Sequence, residues 1–378
     1  MSMAPEPTAP RVSVIVPVYN VAAFLDQCLD SIRVQTMSDI EIICLNDGST
    51  DESLAIMKRH AAADDRVQVI DKQNEGYGAT CNRGIQAAKG DYIAIVEPDD
   101  YLLATMYEDM LSFADSFAAP IDVVKEAWFD VVGWDMPGEE RLVPGYLFRR
   151  LPTSSHPQTI ADVPALLEGH PSIWSALYRR EFILERGIRF IEYRGAGWAD
   201  NPFLIDSLCQ ARSIVYLDAM HYCYRNELSR PAGAVIDEER LAMPLNRWME
   251  MARRLDGCAM SDPAVLRAHT QRGFNYIDDV MAAGGWNSDR IRGLIRTVLD
   301  DMDEELVIAH PKLSPEKKRF YLDQTGGKDR RLSPVPYYRH LAGELLIRLK
   351  SQGASGAFRA VRKRVKGTGQ KPDAETME

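Results

Sequence analysis

The chain has 378 residues, 46% hydrophobic and 26% charged, a globular balance that excludes a single small module and the collagen-like or largely disordered classes. Lys and Arg number 45 against 55 Asp and Glu, a formal net charge of -10, the wrong sign for sequence-independent nucleic-acid binding. No run approaches the ~18 apolar residues of a spanning helix, and the opening MSMAPEPTAP lacks the basic and apolar regions of a secretory signal, so a cytoplasmic location is expected.

After a Pro-rich leader over residues 1–10, the β-branched run VSVIVPV (Val12 to Val18) predicts a buried strand. Leu25, Cys28, Leu29 and Ile32 then fall on one face of a helix. EIICL (Glu41 to Leu45) predicts a second strand. Ser49, followed three residues later by Glu52, has the form of a capping box at a helix start. A third strand is expected over Val67 to Ile70, a third helix over Ala79 to Ala88 ended by Gly90, and a fourth strand over Tyr92 to Val96. This alternation implies a parallel sheet covered on both faces. Ligands bind such sheets beyond the carboxyl ends of the strands. A polar cluster follows each strand: Tyr19-Asn20, Asn46-Asp47-Gly48-Ser49, Asn74-Glu75-Gly76 and Glu97-Pro98-Asp99-Asp100. All four are expected to face one crevice. The first turn, PVYNVAAF, has no glycine, and Cys81 stands where a third motif glycine would fall, which excludes a dinucleotide-binding loop. The six cysteines form no C-x-x-C pair and read as reduced thiols.

VSVIVPVYN, LNDGSTDES and NEGYGATCNRGIQAAKGDYIAIVEPDD together resemble the nucleotide-sugar domain of family-2 inverting glycosyltransferases, strongly from Arg11 to about Asp100 and more weakly to about Arg230. The resemblance implies a GT-A-like α/β fold over residues 11–230, a mostly parallel sheet with helices on both faces. It also implies transfer from a nucleotide-sugar donor, a UDP-sugar, to a glycan or lipid-linked acceptor in surface polysaccharide synthesis. On this reading Asp47 accepts hydrogen bonds from the base or ribose, although N-D-G-S is also good turn chemistry. Pro17, Tyr19 and Asn20 line the base pocket, Tyr19 offering a ring for stacking, and Gly76 belongs to the same nucleotide-binding set. Arg83 faces the diphosphate or, alternatively, is a solvated helix charge.

Glu97-Pro98-Asp99 occupies the family's D-x-D position. Mn²⁺ or Mg²⁺ held there would neutralise the departing diphosphate, and three acids in four residues repel unless a cation or donor network compensates. Asp99 is the expected ligand. Glu97, where the family more often has Asp, and Pro98 complete the nucleotide set. Asp100 and Trp198 are expected at the sugar or acceptor. Asp200, in GWADNPF, matches the Asp of the family's Glu-Asp pair and is the candidate general base, whereas Ala199 replaces the Glu. Asp200 also reads as a cap for a helix from Pro202 to about Gln210.

Beyond the resemblance, Glu238 to Leu255, Pro263 to Met281 and Asp289 to Met302 predict three helices of a helical subdomain (residues 231–330), which would cover the acceptor side or mediate homo-oligomerisation. The tail, residues 331–378, holds eight basic residues between Arg339 and Lys366 against the single acid Glu344, beside Leu341, Leu345, Leu346 and Leu349. Such a basic amphipathic segment fits peripheral contact with an anionic membrane, or equally a solvated tail. Two rival functions remain at this level: a non-catalytic sugar-nucleotide or glycan-binding module, and a transferase of another nucleotide-activated group.

Overall fold

The computed structural model describes residues 9–136, 138–195, 197–225, 237–327, 331–346 and 349. The amino-terminal part alternates strand and helix: β1 (Val12–Val18), α1 (Ala22–Arg33), β2 (Ile40–Asp47), α2 (Ser53–Ala63), β3 (Val67–Lys72), α3 (Tyr77–Ala87) and β4 (Tyr92–Ile95). Every residue of β1 and β2 is buried, the mark of strands covered on both faces. Leu25, Cys28, Leu29 and Ile32 form the buried face of α1, as their spacing requires. Gly84 lets α3 lie close on β1, because a Cβ there would sit 2.4 Å from Ile15 Cγ2.

The chain continues through β5 (Tyr101–Leu102), α4 (Met106–Asp115), β6 (Val123–Val132), β7 (Arg141–Pro144), β8 (Ala176–Arg179), α5 (Arg180–Glu185), α6 (Asp200–Cys209) and β9 (Ile214–Arg225). The sheet order is β3-β2-β1-β4-β8-β6-β9-β5, with β7 paired to β6. The expected parallel arrangement holds across β3-β2-β1-β4. Antiparallel ladders enter at β8, which joins β4 to β6, while β6 and β9 are again parallel. Register places Val18 beside Asn46 and Asp47 beside Lys72, so the carboxyl ends of β1, β2 and β3 share one edge.

The helices α7 (Glu238–Gly257), α8 (Pro263–Ala282) and α9 (Asp289–Asp300) start close to where the sequence places them. Each has a capping side chain, Asp237, Asp262 or Ser288, that accepts from a first-turn N–H. These helices belong to the same compact unit as the sheet, which extends to Asp301. The described residues from Met302 onward form a second unit. It contains α10 (Glu304–Ala309), α11 (Pro315–Thr325) and a helical stretch over 335–346. Leu345, Leu346 and Leu349 are exposed there, and most of the basic segment expected over 339–366 lies outside the described residues. No helix among the described residues is long and apolar enough to cross a membrane.

One local signature is overruled. Ser49 does not cap α2: its Oγ accepts from Asn20 N–H, and Asp51 serves the helix start by accepting from Ser53 N–H. The four most enclosed cysteines, Cys28, Cys44, Cys81 and Cys223, are buried, and all six are free thiols.

Candidate functional site

The four strand-end clusters meet in one cleft of about 530 Å³ at the carboxyl edge of β1, β2, β3 and β4. Pro17, Tyr19 and Asn20 line it from the first turn, Asp47 from the second, Asn74 and Gly76 from the third, and Glu97, Pro98 and Asp99 from the fourth. Tyr19 is 52% exposed where it lines the cleft, which leaves its ring accessible to a ligand. Asn20 holds a left-handed conformation, φ 50°, that asparagine tolerates. Its Oδ1 accepts from Thr50 N–H at 2.7 Å, which ties the first turn to the second.

Asp47 is already engaged. Its Oδ1 accepts from the Lys72 ammonium and from Glu75 N–H (2.8 Å), and its Oδ2 from Gly76 N–H (3.0 Å). Burial pushes this carboxyl up, and the Lys72 charge with the two N–H donors more than reverses the effect, leaving it below the usual carboxylate range. Asp47 therefore shapes the third turn from beneath while showing an edge to the cleft. Lys72 went unremarked in the sequence, since only the β2–β3 register places it opposite Asp47.

The fourth cluster is held by β9. Asp100 is 1% exposed; its oxygens accept from Arg225 N–H (2.7 Å) and Tyr222 O–H (2.9 Å). It does not line the cleft, so the expected sugar or acceptor contact is replaced by a structural role. Arg225 also donates through its guanidinium to the Asp99 carbonyl and to Gln27 Oε1, and sits 5.1 Å over the Phe24 ring. Tyr77 O–H donates to Glu97 Oε1 at 2.5 Å. Burial, opposed by this hydrogen bond and reinforced by the charges of Asp99 and Asp200, pushes the Glu97 carboxyl up to about 8.

Arg83 is elsewhere. Its guanidinium forms a bidentate pair with Glu75, at 2.8 and 2.7 Å, and it is absent from the cleft lining. Asp200 is the first residue of α6, two positions before the predicted start, and the cap position is Ala199, which offers no side-chain acceptor. Asp200 is not among the residues that line the cleft, but its charge bears on Glu97 and Tyr77, which do line it. Burial raises its carboxyl above the ordinary value, against Arg272 and a hydrogen bond from Asn201. Trp198 has φ 53° and a side chain 41% exposed, edge-on to Tyr276 at 5.8 Å, so it is neither a core residue nor part of the cleft wall. Among the described residues, no three His, Cys, Asp or Glu side chains are preassembled as a metal site.

Comparison with known proteins agrees with this architecture. Residues 13–182 match the model of the family described as Glycosyl transferase family 2. The uncharacterized glycosyltransferase EpsJ of Bacillus subtilis (strain 168) is 32% identical over 231 residues, covering 57% of this chain and 61% of EpsJ. The chain thus spans about three-fifths of that relative's length. The uncharacterized glycosyltransferase YibD of Escherichia coli (strain K12) is 29% identical over 258 residues, 65% of this chain and 71% of YibD. Among solved structures, S. aureus TarS 1-349 in complex with UDP shares the fold with a TM-score of 0.64 at 17% identity, covering 87% of this chain and 91% of that one. Residues 13–182 therefore match the glycosyl transferase family 2 model, and the chain shares its fold with TarS 1-349.

Proposed function

We propose that this protein transfers a sugar from a nucleoside-diphosphate donor to an acceptor hydroxyl with inversion at the anomeric carbon. The observation that carries this reading is the convergence of Tyr19, Asp47, Gly76 and Asp99 on one cleft at the carboxyl edge of the parallel strands of a domain that matches the family-2 model. The base would stack on Tyr19, with Asn20 and the Asp47 edge nearby, and the diphosphate would extend toward Asp99. Arg83 would reach the diphosphate only by leaving Glu75.

The residues fit a hard divalent cation. Asp99 supplies a carboxylate on the cleft wall, and Mg²⁺ or Mn²⁺ is commonly held by one or two carboxylates together with substrate phosphates rather than by a complete protein cage. When bound, the ion neutralises charge on the departing diphosphate. Asp200 takes the acceptor hydroxyl proton as that oxygen bonds to the anomeric carbon and the bond from that carbon to the phosphate oxygen breaks. A carboxyl raised by burial suits this work, because a base is most effective when its pKa approaches the working pH. Glu97, which accepts from Tyr77 O–H, lines the cleft beside Asp99 and would face the donor there.

The UDP in the TarS complex makes a uridine donor the first to try. A panel of UDP-, GDP- and CDP-activated compounds, with Mn²⁺, is assayed for nucleotide release. The account expects release from a UDP-sugar, loss of at least about a hundredfold in turnover for Asp200→Asn with donor affinity unchanged, and loss of Mn²⁺-dependent donor affinity for Asp99→Asn. Binding of a nucleotide sugar without any release would instead make the protein a binding module. Release only from a CDP-linked polyol phosphate would change the group transferred. Lipid-linked acceptors would also give the basic segment over 339–366 a purpose, docking to anionic membrane. Flotation with phosphatidylserine vesicles that is unchanged by deletion after Tyr338 would remove that part.

A further inference from the structure

Asp200 is tied to α8 by a chain of hydrogen bonds that core packing does not require. Its Oδ1 accepts from Asn201 Nδ2 at 3.1 Å. Asn201 is 2% exposed, and its own Oδ1 accepts from an Arg272 terminal nitrogen at 2.9 Å and from Tyr276 O–H at 2.6 Å. Arg272 and Tyr276 lie one turn apart on α8, and Arg272 also donates to the Tyr276 oxygen at 3.1 Å. Through Nε, Arg272 donates to the Leu167 carbonyl at 2.6 Å.

Arg272 is 1% exposed, and one of its terminal nitrogens finds no hydrogen-bond partner among the described residues. A buried guanidinium so placed is costly, and an apolar side chain of similar volume would serve packing better. What the guanidinium supplies is polarity. It has donors and no acceptor, so the Asn201 amide must turn its oxygen to Arg272 and its NH₂ to Asp200. The Tyr276 hydroxyl reinforces the same orientation.

We propose that Arg272 and Tyr276 are positioning residues for Asp200, acting through Asn201 to hold its carboxylate in one orientation and to favour its ionised form. The proposal rests on the reading of Asp200 as the base. The titratable and charged groups that face Asp200 come from several elements: Tyr77 and Cys81 on α3, Glu97 after β4 and Arg247 on α7, all of which feel the Asp200 charge, and Arg272 and Tyr276 on α8. Arg247 and Arg272 are the two cations in this set, and Arg272 is the largest influence opposing burial at Asp200. The helices that follow the sheet thereby tune the residue that Ala199 leaves without an acidic neighbour on the amino-terminal side.

The test titrates the full-length protein labelled with ¹³Cγ-aspartate, the Asp200 resonance being assigned from Asp200→Asn. Arg272→Met is expected to raise the Asp200 midpoint by about one pH unit, Tyr276→Phe to move it less in the same direction, and Arg272→Lys to restore part of the shift. In the nucleotide-release assay, Arg272→Met should lower kcat about tenfold below the shifted midpoint and recover at higher pH, with donor KM unchanged. A purely structural role would lower activity equally at every pH and leave the resonance where it is. Tyr276→Phe removes a single hydroxyl and keeps the test decisive should Arg272→Met fail to fold. An Asp200 midpoint unmoved in the folded variants overturns the proposal even if Asp200→Asn is inactive. Full turnover in Asp200→Asn removes the base role, and the positioning role with it.

Discussion

Replacing Asp47 with Asn perturbs the point on which the cleft floor is hung. The Asp47 and Lys72 side chains are only 5% and 7% exposed, and the carboxylate receives three donors. An Asn at this position keeps one acceptor oxygen and turns an NH₂ toward groups that are themselves donors, so at least one hydrogen bond is lost and the Lys72 charge loses its partner. Removing one member of a buried ion pair costs about 3–5 kcal/mol. The lower end applies here, because Lys72 keeps Glu75 at 3.4 Å. Lys72→Met leaves the carboxylate its two backbone donors; it removes the charged bond to Asp47, about 1.5–3 kcal/mol, and the weaker contacts of the ammonium with the Gln73 carbonyl and Glu75. Urea unfolding of both variants at pH 7, followed by tryptophan fluorescence, should therefore rank Asp47→Asn as the more damaging. Because the folded-state carboxyl lies below its ordinary value, its contribution is complete above about pH 4 and is lost as the pH falls through the folded pKa. The gap between wild type and Asp47→Asn should accordingly persist from pH 7 to 5 and close only at more acidic pH. A wild-type unfolding midpoint for Asp47→Asn, or a milder effect than that of Lys72→Met, refutes the reasoning.

Further consequences are open to the same unfolding assay. Gly76 has φ 93°, and a Cβ there would lie 2.6 Å from the Tyr193 carbonyl oxygen, so Gly76→Ala combines backbone strain with a steric clash and should cost about 2–4 kcal/mol. Gly187 shares the left-handed conformation, at φ 61°, but faces open space; Gly187→Ala should cost about 1–2 kcal/mol, and equal losses at the two sites would contradict the contact assigned to Gly76. His269 is stacked on Trp248 with both ring nitrogens buried and unpartnered, and burial with the nearby Arg272 charge lowers its pKa to about 3. The unfolded chain takes up this proton near pH 6.5 and the folded chain does not, so stability drains away between pH 6.5 and 3, by about 2 kcal/mol at pH 5. His269→Phe should remove that loss, and a variant with the acid sensitivity of wild type would clear His269 of responsibility.

The parts of this fold that were legible in the sequence are those whose signal is local. Strand β1 runs from Val12 to Val18 in both readings, since a strand covered on both faces writes a continuous β-branched run. The four strand-end clusters were found for a related reason: parallel strands bring their carboxyl ends to one edge whatever the rest of the chain does. Ser49 misled because a capping box describes only its own four residues, while the hydroxyl was claimed by Asn20, 29 positions earlier. Lys72 opposite Asp47 requires the β2–β3 register, and Arg272 on Asn201 requires α8 to pack against the start of α6 across 71 positions. Asp100 was expected at the sugar or acceptor because it belongs to the fourth strand-end cluster, and only β9 returning with Tyr222 and Arg225 shows where its oxygens go.

The most direct test of the whole account is a crystal structure with UDP and Mn²⁺ at saturating concentration. The account predicts the uracil against Tyr19, the ribose near Asp47 and Gly76, and the diphosphate with its ion at Asp99. Nucleotide bound at any other surface, with this cleft empty, contradicts it.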